Sequence, residues 1–337
     1  VQRRLPQAAL AMFPDLPDRL FTPAQLARLR ELADLGDGSV LTEFTSPAAR
    51  ARLGEVEVLI TGWGSPVVDE ATLAAAPNLR AVLHSAGTVK GHLSPACWER
   101  GIQVSTAAQA NAQPVAEYTL AMILLTLKGV PAAMARLRDG RGHVDLLRQF
   151  PTVGNHGRRV GLVGASRIGR LVAQALRPFD LEVVISDPYL DAEGAAALGA
   201  TPLSLEELLA TSDLVSLHAP AIAETRHMLN ASRLALMRDG AVLINTARGA
   251  LVDHAALEPE LVSGRLTAVL DVTEPEPLPA DSPLWSLDNV WLTPHVAGAQ
   301  GTELHRLAGV VLEELEHIGA GEPLAHPVHA ADLGRIA

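Results

Sequence analysis

The sequence predicts an α/β protein of two domains, the larger built on a doubly wound parallel sheet. Three observations carry this. The chain has 337 residues, enough for two domains with buried cores. Short apolar runs recur with helical segments between them, and the pattern restarts after Gly154. A glycine turn, "VGLVGASRIGR" at 160–170, joins a strand to a helix in the second series.

The elements follow in order. "LPQAALAMF" follows Arg3 and Arg4 as a secretory leader would, but Pro6 and Pro14 bracket it and no small-residue cleavage site follows. It reads as a first strand. In "TPAQLARLRELADLG", Thr22 caps a helix, Pro23 takes its first position, and Leu26, Leu29 and Ala33 share one face up to Gly36. "SPAARARL" repeats the cap-proline opening, "VEVLITG" reads as a buried parallel strand before the Gly62–Gly64 turn, and "LRAVLHSAG" is a strand running into a glycine loop. These βαβ units form a small α/β domain of their own.

The helix around 115–127 has no charge between Glu117 and Lys128, so it requires cover on all sides, from burial between domains or from a second subunit, and a homodimer is the expectation. Its apolar run "TLAMILLTL" is far short of the roughly 18 residues of a membrane span. Beyond Gly154, "RRVGLVG", "LEVVISD", "LVSLHAP", "AVLINTARG", "TAVLDV" and "NVWLTPH" read as strands. The last helix, "TELHRLAGVVLEELEHI", has no strand to cross between and is expected to pack back on the first domain. The expected boundaries are therefore 1–108 and 296–337 for a discontinuous first domain and 109–295 for the second.

Composition narrows the function. Hydrophobic residues at 48% and charged residues at 19% describe a globular chain. A net charge of −11 with scattered Lys and Arg argues against nucleic acid as partner. Cys97 is the one cysteine, which excludes an internal disulfide and fits a reducing cytoplasm; no Cys/His spacing suits a metal.

The glycine turn is imperfect. Gly164 permits the tight turn and Gly169 close helix packing, but Ser166 stands where a second glycine would admit a pyrophosphate. Alone it reads equally as an ordinary strand, turn and helix, although the Ser166 hydroxyl and the helix N-terminus suit a phosphate. Asp187, ending the next strand in "EVVISDPY", lies where a carboxylate meets the adenosine ribose, and no Arg or Lys follows it immediately. This favours NAD over NADP.

"VGLVGASRIGR", "SDLVSLHAP", "LINTARGALVD", "LDVTEPEPLPADSPLW" and "NVWLTPHVAG", in this order, resemble the D-isomer-specific 2-hydroxyacid dehydrogenase family over nearly the whole chain. The resemblance implies a Rossmann-type domain inserted into a smaller flavodoxin-like substrate domain. It implies Arg248 as the residue that binds the substrate carboxylate and carbonyl, His295 as acid/base and Glu276 as its partner. The types suit the chemistry: guanidinium holds a carboxylate through two donors, and an imidazole oriented by a carboxylate supplies a proton near neutral pH. Singly, each also reads as a surface arginine, a loop acid or a packed histidine, and Glu274 competes with Glu276, which the family spacing after Asp271 selects.

The same motifs imply cofactor contacts by Gly164, Ser166, Arg167, Ile168, Gly169, Asp187, Thr246 and Ala247. They also imply Asp271 near the nicotinamide, the strand-end backbone at His218 and Ala219, and the loop after His295 to Gly298. On the substrate side, Ala86, Gly87 and Thr88 lie in the loop expected to bind the carboxylate, with Trp63 as a pocket wall. Lys90 departs from a frequent aspartate and reads as solvent-facing or as a site for a second anionic group. Trp285 and Trp291 read as core. The expected activity is NAD-dependent interconversion of a small 2-oxo acid and a D-2-hydroxy acid. Formate dehydrogenases carry glutamine where Glu276 stands. A cofactor-sensing corepressor on the same fold is the other class, which a turnover assay separates.

Overall fold

Apolar runs without polar alternation form strands buried on both faces, as parallel sheets require. The computed structural model describes residues 4–334. The chain divides into two units: one runs to Ala112 and resumes at Ala299, the other spans Gln113–Gly298.

The first unit holds β1 (Ala8–Ala11), β2 (Val40–Leu41), β3 (Val58–Thr61), β4 (Ala81–His84) and β5 (Gln103–Thr106), all parallel, in the order β2-β1-β3-β4-β5. Alternate side chains serve opposite faces. Leu10, Ile60 and Leu83 pack with Leu29 of the helix Pro23–Leu32 and with Leu307, Val311 and Leu315 of the helix Leu304–Ala320. Ala9, Leu59 and Val82 pack on the other side with Leu53, Leu73 and Cys97.

The first of these helices opens with a capping box: the Gln25 amide donates to the Thr22 hydroxyl at 3.2 Å, and the Thr22 amide to the Gln25 side chain at 3.0 Å. It ends at Leu32, earlier than the Gly36 expected from sequence. Asp34 exchanges backbone hydrogen bonds with the first strand segment, through Pro6 and Ala8, and that pairing pulls the chain out of the helix. Gly36, at φ +59°, makes a turn further on.

The last helix carries a wholly buried carboxylate. Glu314 accepts from the amides of Ala325 and His326, each at 2.8 Å, and so starts the returning segment whose Val328 amide donates to Val104. Glu314→Ala strands two N–H donors and is expected to cost about 2–3 kcal/mol in chemical denaturation. An unchanged midpoint would show that the segment is held by its apolar contacts alone.

The second unit holds β6 (Arg158–Val163), β7 (Leu181–Ser186), β8 (Thr201–Pro202), β9 (Leu214–Leu217), β10 (Val242–Asn245), β11 (Thr267–Leu270) and β12 (Val290–Leu292). Its parallel order β12-β11-β10-β9-β6-β7-β8 is doubly wound, and it reverses between β6 and β9. The two-residue β8 is too short to carry a periodic signal in the sequence.

The helix Ala108–Leu127 buries Ile123 and Leu127 against Val160 and Leu162 but leaves Leu125 exposed, so its cover is one-sided among the described residues. The helices Val130–Gly140 and Leu146–Gln149, unread in the sequence, bury none of their residues. No single described helix is long and apolar enough to cross a membrane. Trp285, expected in the core, is 54% exposed, because its indole donates to the Pro279 carbonyl at 2.8 Å and lies along the surface. Trp291 is half-buried against the second core.

Candidate active site

Parallel pairing aligns Asn245 with Leu270 and Leu270 with Leu292, so β10, β11 and β12 end side by side. Arg248, Glu276 and His295 lie on the loops that leave these three ends. His295 Nδ1 is 2.8 Å from a Glu276 carboxylate oxygen, with both side chains about half exposed. Glu274 turns elsewhere: Arg226 donates to it at 2.9 Å and His227 Nε2 lies at 3.2 Å. Arg248 is partly buried, and desolvation lowers its pKa while the nearby Glu276 charge opposes that. Its backbone is fixed by Asn245, whose side-chain amide donates to the Arg248 carbonyl at 2.8 Å. The Arg248 guanidinium donates to the Ala247 carbonyl at 2.7 Å.

His295 sits at φ +54°, a left-handed conformation unusual for a residue with a Cβ. Asp271 holds it there. The 2% exposed Asp271 carboxylate accepts from the Thr293 hydroxyl at 2.6 Å and from the amides of Val296 and Ala297 at 2.8 and 3.0 Å. The Asp271 carbonyl takes the His295 amide at 3.0 Å. The resemblance implied a nicotinamide contact here; the carboxylate is engaged with the loop that carries His295. Tyr118 and Thr293 share a hydroxyl hydrogen bond of 2.8 Å, and Thr119 and Thr246 one of 3.2 Å. Burial raises the Tyr118 pKa, the Thr293 hydrogen bond opposes this, and the Asp271 charge adds to the rise. These helix hydroxyls carried no motif in the sequence, because their partners are over 100 residues away.

The glycine turn lies at the sheet's reversal point. A Cβ on Gly164 would come within 2.7 Å of the Ala219 amide, and one on Gly169 within 2.1 Å of the Gly164 carbonyl. Strand, turn and helix thus meet backbone to backbone beside His218 and Ala219. Ser166 is the N-cap of the helix Arg167–Leu176, accepting from the Gly169 amide, so the missing glycine is replaced by a cap. The first-turn amides at exposed Arg167 and half-buried Ile168 have no acceptor within a helix. Asp187 accepts from the amides of Ala165 at 2.6 Å and Tyr189 at 2.8 Å, and a carboxylate has further lone pairs for ribose hydroxyls. The residues present therefore fit a dinucleotide. Thr246 is buried beside half-buried Ala247, and Gly298 closes the unit.

In the first unit, the loop after β4 carries buried Ala86, then Gly87, where a Cβ would meet only the Asn111 side chain at 3.4 Å, and Thr88, whose hydroxyl accepts from the Lys90 amide at 3.2 Å. Trp63 follows β3 and is 39% exposed. Beneath the loop the His84 and His92 ring centroids are 4.9 Å apart, and His84 Nδ1 is 2.9 Å from the Thr61 hydroxyl.

A family model described as "D-isomer specific 2-hydroxyacid dehydrogenase, NAD binding domain" matches residues 120–297. The chain is 33% identical to a D-3-phosphoglycerate dehydrogenase of Methanocaldococcus jannaschii over 90% of this chain and 58% of that protein. It is 33% identical to a glyoxylate reductase of Korarchaeum cryptofilum over 80% and 82%. The chain belongs to the D-isomer specific 2-hydroxyacid dehydrogenase family.

Among solved structures, a D-lactate dehydrogenase from Aquifex aeolicus complexed with NAD and lactic acid superposes with a TM-score of 0.73 at 27% identity, covering 94% of this chain and 96% of that one. The residues matched by the NAD-binding-domain model lie within the second unit, and NAD is the cofactor. The chain spans about half the length of the phosphoglycerate dehydrogenases it matches, 51% and 58% in two of them.

Burial keeps three histidines neutral. His84 and His218 are each pushed down to about 3 and His92 to about 4, by desolvation in every case, with His92 adding to the effect on His84 and the Thr88 backbone opposing it. Unfolded histidines titrate near 6.5, so the stabilisation is complete above that pH and is lost as pH falls toward these folded values. Urea unfolding at pH 7.5, 6 and 5 is expected to show stability falling more steeply than the ~1.4 kcal/mol per pH unit of a single group. His92→Leu is expected to flatten the slope; an identical slope would refute the assignment.

Proposed function

We propose that this protein is an NAD-dependent D-2-hydroxyacid dehydrogenase that interconverts a small 2-oxo acid and the corresponding D-2-hydroxy acid. The His295–Glu276 pair, with Arg248 on the neighbouring strand end, carries this reading. Bound at the glycine turn of Gly164 and Gly169 and at Asp187, NADH would supply the hydride for the carbonyl carbon. Arg248 binds the substrate carboxylate and carbonyl through its planar donors, and its partial burial strengthens that attraction. His295, engaged with Glu276 through Nδ1, presents Nε2 to the carbonyl oxygen and gives it the proton that completes the hydroxyl. In oxidation the neutral ring takes that proton back. Glu276 orients the ring through that contact. Thr246, Ala247, His218, Ala219, Asp271 and the loop to Gly298 line the cofactor in this reading.

The assembly proposed is a homodimer. Met134, Leu137, Leu146 and Leu147 are exposed on helices with no buried residue, and an apolar surface of that kind suits a second copy of the chain. The setting proposed is the reducing cytoplasm, where the free, buried Cys97 thiol, raised by desolvation to about 11, stays inert.

Reduction of a panel of 2-oxo acids with NADH tests the activity. Reduction requires charged His295 and is expected to fail as pH rises, whereas oxidation fails as pH falls. Glu276→Gln is expected to lower kcat for oxo-acid reduction about tenfold or more, and His295→Ala to lower turnover about 100-fold or more with NADH binding intact. Arg248→Ala is expected to lower kcat/KM for the oxo acid by about 100-fold. Parental kcat in Glu276→Gln would break the pairing.

Asp187 is expected to select NAD over NADP, whose 2′-phosphate it repels. At a hundredfold excess over its dissociation constant, NAD adds about 2.7 kcal/mol to stability. Equal thermal shifts with both nucleotides would remove that role from Asp187.

A further inference from the structure

The carboxylate that does not face His295 is the more informative one. Glu274 precedes Glu276 by two residues, and its two oxygens are taken by adjacent residues, Arg226 at 2.9 Å and His227 at 3.2 Å. Desolvation opposes the effect of these partners, but the net result is a lowered Glu274 pKa, the Arg226 hydrogen bond being the largest cause.

The 226–229 segment is also tied to the loop that carries Arg248. The His227 amide donates to the Ala250 carbonyl at 2.8 Å, the Leu229 amide to Leu251 at 3.0 Å, and the Asp253 amide to Leu229 at 3.0 Å. Leu229 and Val252 form a parallel bridge. The Arg248 and Glu276 loops themselves meet at Gly249, where a Cβ would lie 2.1 Å from the Thr273 carbonyl and 2.7 Å from the Glu274 amide. His227 reaches this position at φ +50°, a conformation glycine or asparagine adopts more readily. The imidazole to Glu274 is what a glycine there would forfeit.

We propose that Arg226 and His227, acting through Glu274, are positioning residues that set Glu276 against His295. Backbone hydrogen bonds hold the segment to the Arg248 loop, and the two side chains hold it to the Glu276 loop. The Arg248 loop keeps its own backbone ties when those side chains are removed. Loss of the bracket therefore falls on the proton relay and spares binding of the substrate anion. This rests on the reading of His295 as the proton donor.

The charged and titratable groups around the bracket are Arg226, Glu274, Asp253 and His254, the last with its pKa lowered chiefly by its own burial. Those around His295 are Glu276, Arg248, the Asp271 carboxylate on the amides of Val296 and Ala297, and Tyr118 through Thr293.

The test uses Glu274→Ala, Arg226→Gln, His227→Gly and His227→Gln in the full chain with NADH. Glu274→Ala and His227→Gly are expected to lower kcat for oxo-acid reduction about tenfold while KM changes less than about threefold. His227→Gln keeps a donor of similar reach and is expected to recover most of the loss, although its backbone is the more strained. Arg226→Gln lies at the surface and serves as the variant that folds whatever the others do.

A second readout is independent of turnover. The NMR chemical shifts of the His295 ring at fixed pH, assigned by their absence in His295→Gln, are expected to move in Glu274→Ala toward those of Glu276→Gln. Parental kcat in folded Glu274→Ala and Arg226→Gln, or His295 ring shifts that move in Glu276→Gln but stay in Glu274→Ala, overturns the bracket. His295 ring shifts that move in Glu274→Ala, with a parent that reduces no 2-oxo acid, overturn the proposed activity and leave the bracket supported.

Discussion

Parallel pairing of β10, β11 and β12 is the constraint on which the rest of the site depends. Because Asn245, Leu270 and Leu292 are aligned across the three strands, the chain leaves the sheet at three adjacent points. Arg248, Glu276 and His295 need then be supplied only by short loops. A slip of one residue would turn every side chain of a strand to the opposite face, and the apolar packing on both faces resists it. The buried sheet thereby transmits its register to groups that are themselves half exposed.

Hydrogen bonds beyond the strands refine this placement. Asp271 gathers one hydroxyl and two amides of the following loop, and that loop holds His295 in a left-handed backbone conformation. Such a conformation costs on the order of 1–3 kcal/mol and persists where its surroundings over-determine it. Glycine-enabled contacts do comparable work at the cofactor turn, where Gly164 and Gly169 leave no room for a Cβ and Ser166 caps the helix instead of opening it further. The substitution at Ser166 changes how the helix N-terminus is finished while its first amides stay available to a phosphate.

Much of this was legible from local chemistry. Thr22 and Pro23 announce a helix start because a hydroxyl cap and a fixed φ act within one turn. Strands such as Leu214–Leu217 and Val242–Asn245 read as unbroken apolar runs because both faces are buried. What escaped was decided at a distance. Trp285 reads as core by type, yet one hydrogen bond to Pro279 lays it on the surface. The helix of Thr22 stops at Leu32 because Asp34 pairs with the first strand segment, which no local signal reports.

The sequence by itself determined the fold class, the family and the identity of the candidate groups, since these rest on residue type, apolar periodicity and the order of motifs along the chain. The spacing after Asp271 that the family resemblance supplies selects Glu276 over Glu274, two carboxylates two residues apart on a proline-rich loop. Only the tertiary structure decided what separates them physically. The distinction arises because Arg226 and His227, brought close by a backbone bridge to the Arg248 loop, occupy one carboxylate and leave the other to the imidazole. Partner choice of that kind depends on which donors lie within about 3 Å after folding.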